Sequence, residues 1–294
     1  MFLQLFANGL VTGSVIAIAA VGVSVVYGIL RLVNFAYGDF MAFGALAAYA
    51  FNGPLGVPLI AATVLGMLAT AVLSLVLDGV LWRPLRARRA GFMSLFLASI
   101  GLALVLRQSL LLAYGPQPHA YRVDPYKVYV LGSVRLSQSQ FITIVTAAVV
   151  IVAIGLFLAR TTLGRTMRAL ADDRALAAIA GVNVGRVIAF TWVLSGLLAG
   201  IAGVLAGLAQ TTFDPNFGFQ LLLPVFAAVV LGGIGSAYGA LAGGLTLGIA
   251  MEVSTWPSLL GGVNPVYKPV VAFVVLAAAL LVRPQGLFGR ARVV

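Results

Sequence analysis

The chain has 294 residues, 62% of them hydrophobic and 9% charged, with a formal net charge of +11. A water-soluble domain carries about a quarter charged residues, so the composition excludes one and points to a polytopic membrane protein. The absence of cysteine excludes disulfides and thiolate metal sites, and the single histidine, His119, excludes a paired-histidine metal motif.

A membrane span needs about 20 apolar residues at 1.5 Å rise each. Such runs are predicted over 5–29, 36–52, 57–81, 92–114, 139–159, 187–209, 219–235, 237–256 and 264–282. The predicted fold is all-α, one transmembrane domain over 1–294 with eight or nine spans. The count depends on whether 36–52 crosses or dips in and returns. No basic stretch precedes the first run and no small-residue cleavage site is evident there, so it reads as an uncleaved span.

Just past that run, "NFAYGD" groups Asn34, Tyr37, Gly38 and Asp39. Two readings compete. Either a helix ends there in water, with Asp39 as the acid of the next helix's first turn, or the stretch lines the path of a polar solute. On the second reading Gly38 permits a helix break that exposes free N–H and C=O groups. Asn34 then adds a donor and an acceptor, Tyr37 a hydroxyl, and Asp39 a partner for an ammonium group.

Basic residues fall in three clusters that flank apolar runs: Arg83, Arg86, Arg88 and Arg89; Arg160, Arg165, Arg168, Arg174 and Arg186; Arg283, Arg290 and Arg292. Together these hold twelve of the 18 basic residues, so the charge reads as membrane orientation rather than nucleic-acid binding. The parity of the spans puts all three on one side, the cytoplasmic one, together with the C-terminus. Arg107, inside the fourth span, can snorkel outward or pair with an acid. The Pro- and Tyr-rich loop 115–137 then lies outside.

The inside loop 160–186 carries the longest charged segment. Arg165, Arg168 and Asp172 share one helical face there, beside an apolar one of Met167, Leu170 and Ala171, and Gly181 with Asn183 marks a helix end. A short amphipathic helix is predicted between two spans.

Gly196, Gly200, Gly203 and Gly207 form one helical stripe, and Gly235, Gly239 and Gly243 a second. Both read as close helix packing. The stretch "QTTFDPNFGF" (210–219) falls outside, where it shapes an entrance or simply turns at Asp214–Pro215. Glu252 is an acid within an apolar segment, a functional candidate by the rule for intramembrane charges, though close to a span end.

No G-x-x-x-x-G-K-[ST] loop, HExxH, GxSxG or paired intramembrane aspartates occur in the sequence, and Asn264–Pro265 is no paired Asn-Pro-Ala motif. No catalytic residue or metal ligand is predicted.

Four ordered blocks carry a resemblance: "NGLVTGSVIAIAAVGVSVVYGILRLVNFAYGDFMAFGA", "TTLGRTMRALADDRALAAIAGVNVGRVIAFTWVLSGLLAGIAGVLAG", "FAAVVLGGIGSAYGALAGGLTLGIAME" and "LLVRPQGLFG". The chain resembles the LivH-type permease subunits of ABC importers for branched-chain amino acids. Tyr37 and Asp39 stand where that family usually has His and Glu. The resemblance implies a subunit of the bacterial inner membrane that translocates branched-chain or related amino acids delivered by a periplasmic binding protein. It also implies a second related permease subunit and two cytoplasmic ATPase subunits, which bind the ATP; this chain needs no cofactor. The loop helix with Arg165, Arg168, Asp172, Asp173 and Arg174 is then the contact to the ATPase, and Asn34, Tyr37, Asp39 and Glu252 are candidates for the path. The competing class is an ATP-independent secondary transporter or channel for small polar solutes, which would need a coupling-ion site.

Overall fold

A computed structural model of the chain describes residues 2–123, 128–131, 134–257, 263–283 and 285–288. Arg290 and Arg292 of the third basic cluster, and part of the 115–137 loop, lie outside the described residues.

Apolar runs become helices nearly where they are predicted: α1 (Phe2–Leu30), α2 (Tyr37–Asn52), α3 (Leu59–Leu77), α5 (Phe92–Tyr114), α6 (Gln138–Arg160), α9 (Val184–Gln210), α10 (Phe217–Gly232), α11 (Ala237–Val253) and α12 (Lys268–Val282). A π-helical turn, Asp78–Trp82, joins α3 to α4 (Arg83–Ala87), and the three continue as one helix from Leu59 to Ala87. Among the described residues six helices are long and apolar enough to cross a membrane, and α10 and α11 are shorter apolar ones. The chain is a multi-pass membrane protein.

Polar residues set the helix starts. Ser137 and Gln140 form a reciprocal capping box at α6, and Asn183 and Ser236 accept from the backbone N–H of Arg186 and Gly239 at α9 and α11. The amphipathic segment forms two helices instead of one: α7 (Thr162–Asp172) and α8 (Arg174–Ile179), split where Asp173 turns extended and accepts from the N–H groups of Ala175 and Leu176. The all-α expectation also missed a hairpin. Strands β1 (Val128–Leu131) and β2 (Val134–Ser137) pair antiparallel, with Val128 opposite Ser137 and Leu131 opposite Val134.

The core sits on α1, α2 and α9, which bury most of their length, whereas α3, α5, α6 and α12 bury little of theirs. Glycine permits the tightest crossings. A Cβ at Gly9, Gly13, Gly244 or Gly248 would meet the facing backbone of α1 or α11, so those two helices touch main chain to main chain. Gly196 and Gly200 approach α3 at Ala71 and Met67, Gly203 approaches Met41 of α2, and Gly207 lies against Phe213 and Tyr121. Gly239 and Gly243 lie against α10 at Gly232 and Ala228. Gly235 stands apart from that stripe: it lies in the turn before α11 with φ +87°, a conformation that favours glycine, beside Gly28.

The packing defines two ends of the bundle. At one, Gly28 at the end of α1 approaches Ala171 of α7, and Trp82 stacks on Trp192 near the start of α9 (centroids 5.8 Å apart). At the other, the loop after α5 pairs with the loop after α9 through His119 and Phe213, whose N–H groups each donate to the other's carbonyl at 2.8 and 2.9 Å.

Candidate functional site: a polar seam inside the bundle

Between Leu30 and Tyr37 the chain turns back into the bundle. Arg31 closes α1 with φ +52°, and Asn34 Oδ1 accepts from the Ala36 N–H at 3.1 Å, which starts α2 as a side-chain turn. Among the described residues Asn34 Nδ2 is buried without a partner. The Phe35 N–H donates to Ser99 Oγ at 3.3 Å, so the link is pinned to α5.

Helix α2 therefore begins deep inside the bundle. The Tyr37 hydroxyl donates to the Ser195 carbonyl at 3.4 Å, eleven residues into α9. At 1.5 Å per residue that is roughly 16 Å from the α7 end. Gly38 packs against Gly218, the second residue of α10, and a Cβ on either would collide with the other's carbonyl. The N-termini of α2 and α10 thus meet inside the protein, each with first-turn N–H groups that lack an intrahelical acceptor.

One residue on, Asp39 faces Arg107. The guanidinium donates from Nε to Oδ1 at 3.1 Å and from Nη2 to Oδ2 at 3.4 Å. Its other face lies 4.2 Å from the centre of the Phe219 ring. Arg107 is seven residues before the end of α5, roughly 10 Å in. The side chain of Asp39 is 1% exposed and that of Arg107 15%. Arg107 therefore does not snorkel to an end; it pairs. Beside it, Gln108, Phe219 and Gln220 are exposed on α5 and α10. By contrast, the exposed positions along α3 and α12 are apolar, for example Ile60, Leu68, Val72, Val274 and Leu281.

The predicted site residues are thus only partly gathered. Asn34, Tyr37 and Asp39 share the start of α2, but Tyr37 points toward α1 and α9, where a Cβ on Gly22 would strike its hydroxyl. Glu252 lies elsewhere, at the far end of α11. It accepts from Lys268 Nζ at 2.7 Å and from Thr12 Oγ1 at 3.2 Å. On the α7 end, Arg165, Arg168, Asp172, Asp173 and Arg174 are exposed, while Gly164, Met167, Leu170 and Ala177 face inward. Among these Asp173 caps α8 as described above. Sequence reasoning left Arg107, Phe219 and the Gly38–Gly218 crossing out of the site. A lone arginine within an apolar run was the available signal.

A family model described as "Branched-chain amino acid transport system / permease component" matches residues 5–280. The chain belongs to this permease family. Within it, the chain is 34% identical to the high-affinity branched-chain amino acid transport system permease protein BraD of Pseudomonas aeruginosa, over 99% of this chain and 97% of BraD. It is 32% identical to LivH of Escherichia coli K12 over the same shares. Against the ribose import permease RbsC of Escherichia coli the match covers 46% of this chain at 34% identity. Among solved structures, PsaBC from Streptococcus pneumoniae in complex with Fab shares the fold, with a TM-score of 0.52 and 17% identity over 98% of this chain and 94% of that one.

Proposed function

We infer that this permease subunit imports branched-chain or related amino acids across the bacterial inner membrane. Nine helical crossings are proposed: α1, α2, the α3–α4 helix, α5, α6, α9, α10, α11 and α12. The α7 end is cytoplasmic, because Arg83–Arg89, Arg160–Arg186 and Arg283 gather there and arginine is retained on that side. The N-terminus is then outside and the C-terminus inside. A cysteine introduced at Thr166 should label only from the cytoplasm, and one at Gln117 only from outside.

The observation that carries the reading is the polar seam within a family member matched over almost its full length. A zwitterion crossing hydrocarbon must exchange water for fixed polar groups, since each unpaired polar atom there costs several kcal/mol. The starts of α2 and α10, with Asp39, Arg107 and Gln108, supply such groups behind the exposed face of α5 and α10. That face is proposed to meet a second, related permease subunit, so that the path is enclosed by protein on both sides.

Two ATPase subunits are proposed to drive the cycle, one of them docking on α7 and α8. Leu176 and Ile179 are exposed on α8, and Arg165, Arg168, Asp172 and Arg174 are exposed on α7 and α8, a mix of apolar and charged groups that suits a protein interface. A binding protein would deliver substrate at the opposite end. The test is uptake of radiolabelled leucine into proteoliposomes holding the assembled complex. Uptake should require ATP and the binding protein. Uptake by this chain alone without ATP would instead establish a self-sufficient transporter or channel.

A further inference from the structure

We propose that Asp39 and Arg107 form an exchangeable ion pair that stands in for the substrate's own charges and restricts the path to zwitterions. This rests on the transport reading above and goes beyond it by naming the chemistry of selection.

Three observations carry it. First, the pair is loose. Its contacts of 3.1 and 3.4 Å exceed those of Asp78–Arg86, at 2.6 Å, and Glu252–Lys268, at 2.7 Å. Charge-assisted N–H···O bonds shorten to about 2.7–2.9 Å when geometry allows. Secondly, the members are unequally accessible. Asp39 is sealed, whereas Arg107 is 15% exposed and packs on the ring of Phe219, a residue that is itself 46% exposed. An anion can therefore reach the guanidinium by displacing a side chain and no backbone. Thirdly, the start of α2 faces the same spot and favours negative charge there.

An α-amino acid carries its carboxylate and ammonium on one carbon, so both charges enter as a pair about as compact as the one they replace. The carboxylate takes the Arg107 fork and the ammonium takes Asp39, and no buried charge is left alone. An apolar side chain would lie against Phe219 and Leu223. A solute with only one of the two charges would leave either Asp39 or Arg107 unpaired, and a site built to bond both groups rejects it.

The test uses the assembled complex in lipid nanodiscs. This chain has no cysteine, so Gln220→Cys introduces a single reporter thiol beside Phe219, and its labelling is followed on this chain. Leucine should slow the labelling, whereas leucinamide, which lacks the carboxylate, and 4-methylpentanoate, which lacks the amine, should leave it unchanged. Equal slowing by all three compounds, or by none, would overturn the proposal. In parallel, the neutral pair Asp39→Asn with Arg107→Gln should assemble and hydrolyse ATP without substrate, while leucine uptake per assembled complex falls roughly tenfold or more. Wild-type uptake in that variant would make the pair structural only. Failure of the unmodified complex to import leucine with ATP and binding protein would strike the transport reading itself, whereas either result above strikes the ion pair alone.

Discussion

Asp39–Arg107 and Glu252–Lys268 are the same chemistry in two settings. The first lies in the interior between α2 and α5, with a side-chain exposure of 1% and 15%. The second lies at the end of α11 and the start of α12, with 10% and 25%. At the end, Lys268 keeps a quarter of its side chain exposed and the Thr12 hydroxyl still donates to Glu252, so the loss of one partner is cushioned. In the interior no such substitute exists, and the pair is obligatory once either charge is present. The depth of a charge, more than its presence in an apolar run, decides whether it can govern what the protein does.

The sharpest way to break this contrast is to remove one interior charge. Arg107→Gln should destabilise the chain by about 3–5 kcal/mol because Asp39 is stranded. Thermal unfolding of the purified complex in detergent should register the loss, and a melting curve matching the unaltered protein would erase the distinction. The next largest effect tests how the interior is closed. Gly218→Ala pushes a methyl into the Gly38 carbonyl and should cost about 1–3 kcal/mol, with loss of folded protein on gentle heating. If the variant melts unchanged, the α2–α10 crossing is looser than its geometry states.

Moving to the α7 end, Asp173→Ala removes the acceptor of two backbone N–H groups and should weaken α8 by about 1 kcal/mol. Hydrogen exchange at Ala175 and Leu176 should accelerate while that of α9 stays constant; equal acceleration in both would show that the end does not move independently. A comparably small effect belongs to the outer pair. Lys268→Gln should cost about 1 kcal/mol, since the buried Glu252 keeps the Thr12 hydroxyl as a donor and lies at a helix end. A penalty as large as that of Arg107→Gln would show that depth is not the governing variable.

Helix positions were legible because span length and apolarity follow from the hydrocarbon itself: 36–52 became Tyr37–Asn52 and 92–114 became Phe92–Tyr114. The amphipathic face of Met167 and Leu170 was legible for the same kind of reason, although the break at Asp173 was not, since an aspartate suits both a helix surface and a cap. Pairing was the blind spot. Asp39 and Arg107 are 68 residues apart, and nothing local says which acid an intramembrane arginine will find. Glu252 drew notice as an acid in an apolar run, yet its partner Lys268 lies 16 residues on, inside the next predicted run. The hairpin escaped notice because four-residue strands such as "VYVL" are too short to separate from loop by alternation alone.

The contact of α1 with α11 also sets a problem of timing. Backbone meets backbone at Gly9, Gly13, Gly244 and Gly248, and the Thr12 hydroxyl reaches Glu252 across 240 residues of chain. A ribosome adding about 5–20 residues per second needs roughly 12–48 s to supply the second half of that interface. During this interval α1, one of the most buried helices of the finished protein, must wait in the bilayer with its glycine face unmatched. Early truncation products should therefore be held by the insertion machinery or degraded, and the completion of α11 is the moment at which the nascent chain acquires its native centre.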